Sequence, residues 1–82
     1  MPDAPVVLYD GSCDICRDWS RRLAGWDDAG RIRQVAYQER GAVAGLPVIA
    51  DAELDRALHV VLPDGQVIRG ARAMIALLPW LP

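Results

Sequence analysis

The chain contains no lysine, asparagine, threonine or phenylalanine and only one histidine in 82 residues, and each absence removes a class of chemistry. Without lysine there is no Schiff-base amine and no phosphate-binding loop of the G-x-x-x-x-G-K-[ST] kind. A single histidine, His59, leaves no in-chain metal site built on several imidazoles, such as H-E-x-x-H. Nor is there a basic cluster. The nine arginines are scattered and the formal charge is -2, so neither nucleic acid nor an anionic membrane is an expected partner. The longest uncharged stretches, Gly41 to Ala50 and Ala73 to Pro82, are ten residues each, well short of the roughly 18 that suggest a membrane span. Met1 to Pro5 lacks a basic region followed by an apolar run and does not read as a secretory signal. The expectation is a cytoplasmic protein.

What is present is an apolar chain of modest length. Hydrophobic residues make up 52% and charged residues 24%, enough for one core and one domain over residues 1–82. Two cysteines, Cys13 and Cys16, are the reactive groups of note, and in a reducing compartment such a pair is catalytic or metal-binding more often than a structural staple.

Periodicity divides the chain into elements. Pro5 to Tyr9 is a short β-branched run ended by Asp10-Gly11-Ser12, which suits a buried first strand. From Cys13 to about Gly25 the pattern turns helical, with Ile15, Trp19, Leu23 and Trp26 on one side and Cys16 on their flank, which marks Trp19 and Trp26 as core. Arg17, Asp18, Arg21 and Arg22 fill the other side. Asp27 to Gly30 reads as a loop and Arg31 to Tyr37 as a second strand. Gly41 to Ala50 fits neither period. Asp51 caps a short helix to about Ala57. Leu58 to Leu62 and Gln66 to Arg69 are strands joined by Pro63-Asp64-Gly65, and Ala71 to Leu78 is a helix stopped near Pro79. The order β-α-β-α-β-β-α predicts an α/β fold with a four-stranded mixed sheet.

This order puts Cys-x-x-Cys where the first strand of a βαβ unit hands over to its helix, the end at which open α/β sheets hold ligands. With Ser12 as N-cap, Cys13 is the first helical residue, and the unpaired amides of the helix start favour its thiolate. Cys16, one turn further in, is expected to be the shielded thiol. An exposed attacking thiolate and a shielded second thiol are what disulfide exchange requires. Residues three apart at a helix start also have Cα atoms within the roughly 4.4–6.8 Å of a disulfide. Asp14, between the cysteines, opposes the thiolate, and Arg17 at i+3 is placed to neutralise it.

Asp10 has two readings. An acid at the end of a buried strand could accept the proton of Cys16 during resolution, or it could cap the turn through local backbone amides, as Asp before Gly commonly does. Ser12 reads as a cap and not a nucleophile, since DGSCD lacks the G-x-S-x-G elbow. His59, between Leu58 and Val60, reads as a packed histidine. A zinc or copper site, or a non-catalytic interaction module, is the alternative use of the cysteine pair. A closed zinc site wants four ligands, and this chain offers two thiolates with His59 or Asp10 in addition.

The residues DGSCDIC resemble the motif of the DCC thiol-disulfide oxidoreductase family, Asp-x-x-Cys-x-x-Cys, on Asp10, Cys13 and Cys16. The resemblance extends to Leu-His-Val-Val-x-x-Asp-Gly-x-Val-x-x-Gly-Ala-x-Ala over Leu58 to Ala73. It implies a thioredoxin-like fold and a redox-active dithiol exchanging disulfides with protein or small-molecule thiol substrates. No organic cofactor is needed, because the dithiol itself carries the two electrons. Thioredoxin-like enzymes usually carry a cis-proline before the third strand; here Pro47 is the nearest upstream proline.

Overall fold

The computed structural model describes residues 4–81, so part of the Met1 to Pro5 segment read for a secretory signal lies outside the described residues. Strands β1 (Val6–Tyr9), β2 (Arg33–Ala36), β3 (His59–Val61) and β4 (Val67–Arg69) and helices α1 (Asp14–Trp26), α2 (Asp51–Leu54) and α3 (Ala71–Ala76) occur in the predicted order. Two 3-10 segments, Tyr37–Ala42 and Leu78–Trp80, are added. The sheet order is β2-β1-β3-β4. β1 runs parallel to β2 and antiparallel to β3, and β3 is antiparallel to β4. This mixed α/β architecture is compatible with a thioredoxin-like fold. Among the described residues no helix is long and apolar enough to cross a membrane.

β1 is central because both its faces are apolar. Val7 and Val60, paired across the ladder, sit in one core with Leu23 of α1 and Ala73 of α3. Val6, Leu8 and Val61 sit in another, against Tyr37 and Leu54. The pleat sends alternate side chains to opposite faces, so an uninterrupted apolar run must be covered twice. Each fully buried Val or Leu contributes about 1.5–3 kcal/mol, and the two layers lock the strand from both sides.

Polar straps fix the connections. The buried Asp27 carboxylate at the end of α1 accepts the amides of Arg31 at 2.9 Å and Ile32 at 2.8 Å, which sets the entry into β2. The Tyr37 hydroxyl bonds Asp55, Arg40 pairs with Asp51, and Arg69 reaches Glu53 at 2.8 Å. These three tie α2 down although it is a single turn. Between β3 and β4 the Gly65 amide reaches the Leu62 carbonyl at 2.9 Å. Gly65 adopts φ +92, a conformation that side chains resist.

The structure corrects two expectations on α1. Ile15 is 81% and Trp26 57% exposed, so neither is core. The buried residues of α1 are Ser20 and Leu23, with Trp19 half-buried against the core, and Ile15 and Trp26 lie further round the helix, off that face. The second correction concerns the cap. α1 starts at Asp14 with Cys13, not Ser12, as its N-cap. Ser12 is diverted because its hydroxyl and amide both turn back to Asp10. Trp80 packs against the α1/α3 core. Pro47 lies in the irregular stretch before α2, and every peptide bond of the described residues is trans.

Candidate functional site

The centre of the sheet delivers the cysteines. β1 lies between β2 and β3, and Tyr9 pairs with Ala36, so the turn after Tyr9 emerges at the middle of one sheet end. The Cys13 amide closes this turn on the Asp10 carbonyl at 3.2 Å. Asp10 Oδ1 accepts the Ser12 amide at 3.0 Å, the Ser12 hydroxyl at 2.7 Å and the Gln38 side-chain amide at 2.8 Å. Those donors, Ser12 Oγ first and Gln38 next, hold the Asp10 carboxyl below the usual carboxylate range.

Gln38 is the residue that sequence reasoning missed. It lies 27 positions from Gly11, and its Oε1 accepts the Gly11 amide at 3.0 Å while its Nε2 holds Asp10. The clamp leaves no room at Gly11. A Cβ there would stand 2.9 Å from the Ala36 Cβ and 3.2 Å from Gln38 Oε1. The available signal was register: once β1 and β2 run parallel with Tyr9 opposite Ala36, two further steps bring Gly11 beside Gln38.

Cys13 is therefore an N-cap whose capping atom is sulfur. Its Sγ accepts the Cys16 amide at 3.4 Å, the bond that a serine or aspartate oxygen makes at other helix starts. The Cys16 thiol, then the Cys16 amide and, less strongly, the Ile15 amide hold the Cys13 thiol below its ordinary value, against slight burial and the charge of Asp10. With Cys13 and not Ser12 as the cap, the sulfur faces the unpaired amides of the helix start directly, which favours its thiolate. The acid whose charge reaches both sulfurs is Asp10 and not Asp14. Asp14 turns outward and pairs with Arg17.

Cys16 is shifted the opposite way. Burial first, then its hydrogen bond to Cys13 and the Cys13 charge, push its thiol up to about 11. Both thiols are free and half-buried, so protonation separates them more clearly than exposure does. A groove of about 360 Å³ opens beside them, bounded by α1, the segment from Leu54 to Leu58, and Met74 of α3.

The remaining candidates lie apart from this centre. His59 is 3% exposed, pairs with Leu8 across the ladder and sets Nδ1 2.9 Å from the Ala57 carbonyl oxygen, as a packed histidine would. Among the described residues no group of three or more His, Cys, Asp or Glu side chains is placed to hold a metal ion.

The family profile described as DCC1-like thiol-disulfide oxidoreductase matches residues 7–82. No curated protein and no solved structure matches the chain.

Proposed function

Because the chain belongs to the DCC1-like thiol-disulfide oxidoreductase family, we propose that it is an enzyme exchanging disulfides through Cys13 and Cys16. The observation that carries this reading is the Cys13 sulfur acting as helix N-cap, 3.4 Å from the Cys16 amide. A sulfur so placed is stabilised as thiolate, the attacking form.

The Cys13 thiolate attacks one sulfur of a partner disulfide. The partner's S–S bond breaks, one partner thiolate leaves, and a mixed disulfide with Cys13 forms. Cys16 then loses its proton and attacks the Cys13 sulfur. The Cys13–Cys16 disulfide forms, the second partner thiolate leaves, and two electrons have passed from the dithiol to the substrate. Run backwards, the same steps oxidise a partner dithiol. No organic cofactor enters the balance.

In this reading Asp10 is the local acceptor of the Cys16 proton. It lines the same groove as both sulfurs, and Ser12 and Gln38 engage only its Oδ1, leaving Oδ2 to the proton. A carboxyl held below its usual range keeps a proton only briefly, so it relays the proton to solvent. The cytoplasm, which keeps such pairs reduced, is the compartment proposed, and the partners are protein or small-molecule disulfides.

Mixing Cys16→Ser protein with a small disulfide tests the proposal. Intact-mass analysis is expected to show a mixed disulfide at Cys13, and wild type is expected to reduce the same compound. Absence of both outcomes overturns the reading.

A further inference from the structure

We infer that the groove beside Cys13 seats an uncharged apolar side chain next to the half-cystine of a peptide disulfide, and that it selects against anionic disulfides such as that of glutathione. The inference deepens the dithiol reading above and rests on it.

The first observation is the lining. Ile15, Trp19, Leu54, Leu58 and Met74 bring apolar side chains from α1, α2, the approach to β3 and α3 to one groove that also contains Cys13 and Cys16. Ile15 stands two residues from the reactive sulfur and is 81% exposed, and Met74 is 44% exposed. Both lie outside the two cores, so their apolar surface is left for a visitor. The volume, about 360 Å³, is at the small end of the roughly 300–1,000 Å³ of ligand clefts and suits a side chain and its backbone.

The second observation is charge. Asp10 and Asp55 line the groove against a single cation, Arg56, while the nearby Arg17 is committed to Asp14. Each half of glutathione disulfide carries two carboxylates and one ammonium. Holding it at the sulfur calls for cations at both ends, and one guanidinium facing two carboxylates does not supply them. A leucine-like neighbour brings no charge and covers the apolar wall.

The experiment follows the formation of mixed disulfide on Cys16→Ser protein. The probes are the disulfide dimers of acetyl-Cys-Leu-amide, its Glu and Lys counterparts, and glutathione disulfide. Each rate is divided by the rate of the same disulfide with dithiothreitol, which removes intrinsic reactivity. The Leu dimer is expected to exceed the Glu dimer and glutathione disulfide by about tenfold, with Lys between; tenfold corresponds to about 1.4 kcal/mol. Met74→Lys removes apolar wall and adds a cation to the groove, so it should shrink the Leu-to-Glu ratio on both counts, and Ile75→Lys, one position along and outside the groove, should leave it unchanged. Leu and Glu within about twofold of each other, Lys equal to Leu, or a ratio indifferent to Met74→Lys each overturns the inference. Hydroxyethyl disulfide, small and neutral, separates the two failures. If it reacts at Cys13 while the ratios are flat, only the groove assignment falls; if it does not react, the dithiol reading falls as well.

Discussion

Removing the Cys13 sulfur tests how the two thiols divide their work. In the dithiol, Cys16 is raised from 9.0 to about 11, by burial first and then by its hydrogen bond to Cys13 and the Cys13 charge. In Cys13→Ala the last two contributions vanish, while burial, the largest, remains together with the smaller and opposed effects of the Asp10 backbone, which lowers, and the Asp10 charge, which raises. The Cys16 pKa should therefore fall below about 11 and stay above 9.0. Each pKa unit changes the thiolate fraction tenfold at pH well below the pKa. The whole rise thus bounds the gain in thiolate at neutral pH to about 100-fold, and retention of burial brings the expectation to roughly tenfold. The assay is the pH titration of ultraviolet thiolate absorbance, with the alkylation rate of Cys16 at pH 8 as a second readout. Wild type should titrate in two steps, one below the ordinary thiol range and one near 11; these apparent values belong to the pair, so the single-thiol variant isolates Cys16. A single step at or above about 11 in Cys13→Ala would mean that the raising influence does not come from Cys13. The mechanistic stake is direct. A thiol at about 11 is thiolate in only about one molecule in ten thousand at pH 7. Entry of Cys13 into a mixed disulfide removes its negative charge just as the alanine variant does, so the first step of exchange releases the thiol needed for the second.

Gln38→Ala removes both halves of the clamp on the Asp10 turn; alkylation of Cys13 should slow, and the loss of stability should be about 0.5–1.5 kcal/mol per hydrogen bond. Gln38→Glu keeps an acceptor for Gly11 but faces Asp10 with a second carboxylate, so it should restore the turn less at pH 7 than at pH 4, and equal rates at the two pH values after correction for thiolate would count against the clamp. Asp27→Ala strands the amides of Arg31 and Ile32 in a largely buried place, and should cost about 1–3 kcal/mol, read as a lower urea midpoint; an unchanged midpoint would show that the α1–β2 turn holds without it. Tyr37 is raised from 10.0 to about 12, chiefly by its hydrogen bond to Asp55. A folded pKa above the unfolded one means the contribution is fully present below pH 10 and is lost as pH rises towards 12. Tyr37→Phe should flatten alkaline unfolding across that window, and a parallel loss in both proteins would remove Tyr37 as its source.

The element order was legible in the sequence because it depends on local signals: the apolar run of β1, the helical spacing around Trp19 and Leu23, and the Pro63-Asp64-Gly65 turn. So was the position of the cysteine pair at a strand-to-helix junction, which follows from the chain's own punctuation. Local pattern misled at Ile15 and Trp26, because periodicity groups the apolar positions of α1 but does not say which part of that arc meets the sheet, and the buried Ser20 and Leu23 lie further round the helix. The cap was misplaced by one residue because the competitor for Ser12 was Asp10, a side-chain preference that the Ser-before-Cys pattern does not reveal.

By itself the sequence determined which atoms can react: two thiols three residues apart, no lysine, and one histidine. Those limits are covalent and no fold alters them. How the thiols differ depends on the fold, because their protonation responds to amides, burial and charge brought together from separate parts of the chain. Gln38 arrives from the 3-10 segment after β2 to fix Asp10, and Met74 and Leu58 arrive from α3 and the approach to β3 to wall the groove. Hydrogen bonds form only at about 3 Å and charges weaken with distance, and residues distant in sequence come that close only when the sheet sets their register.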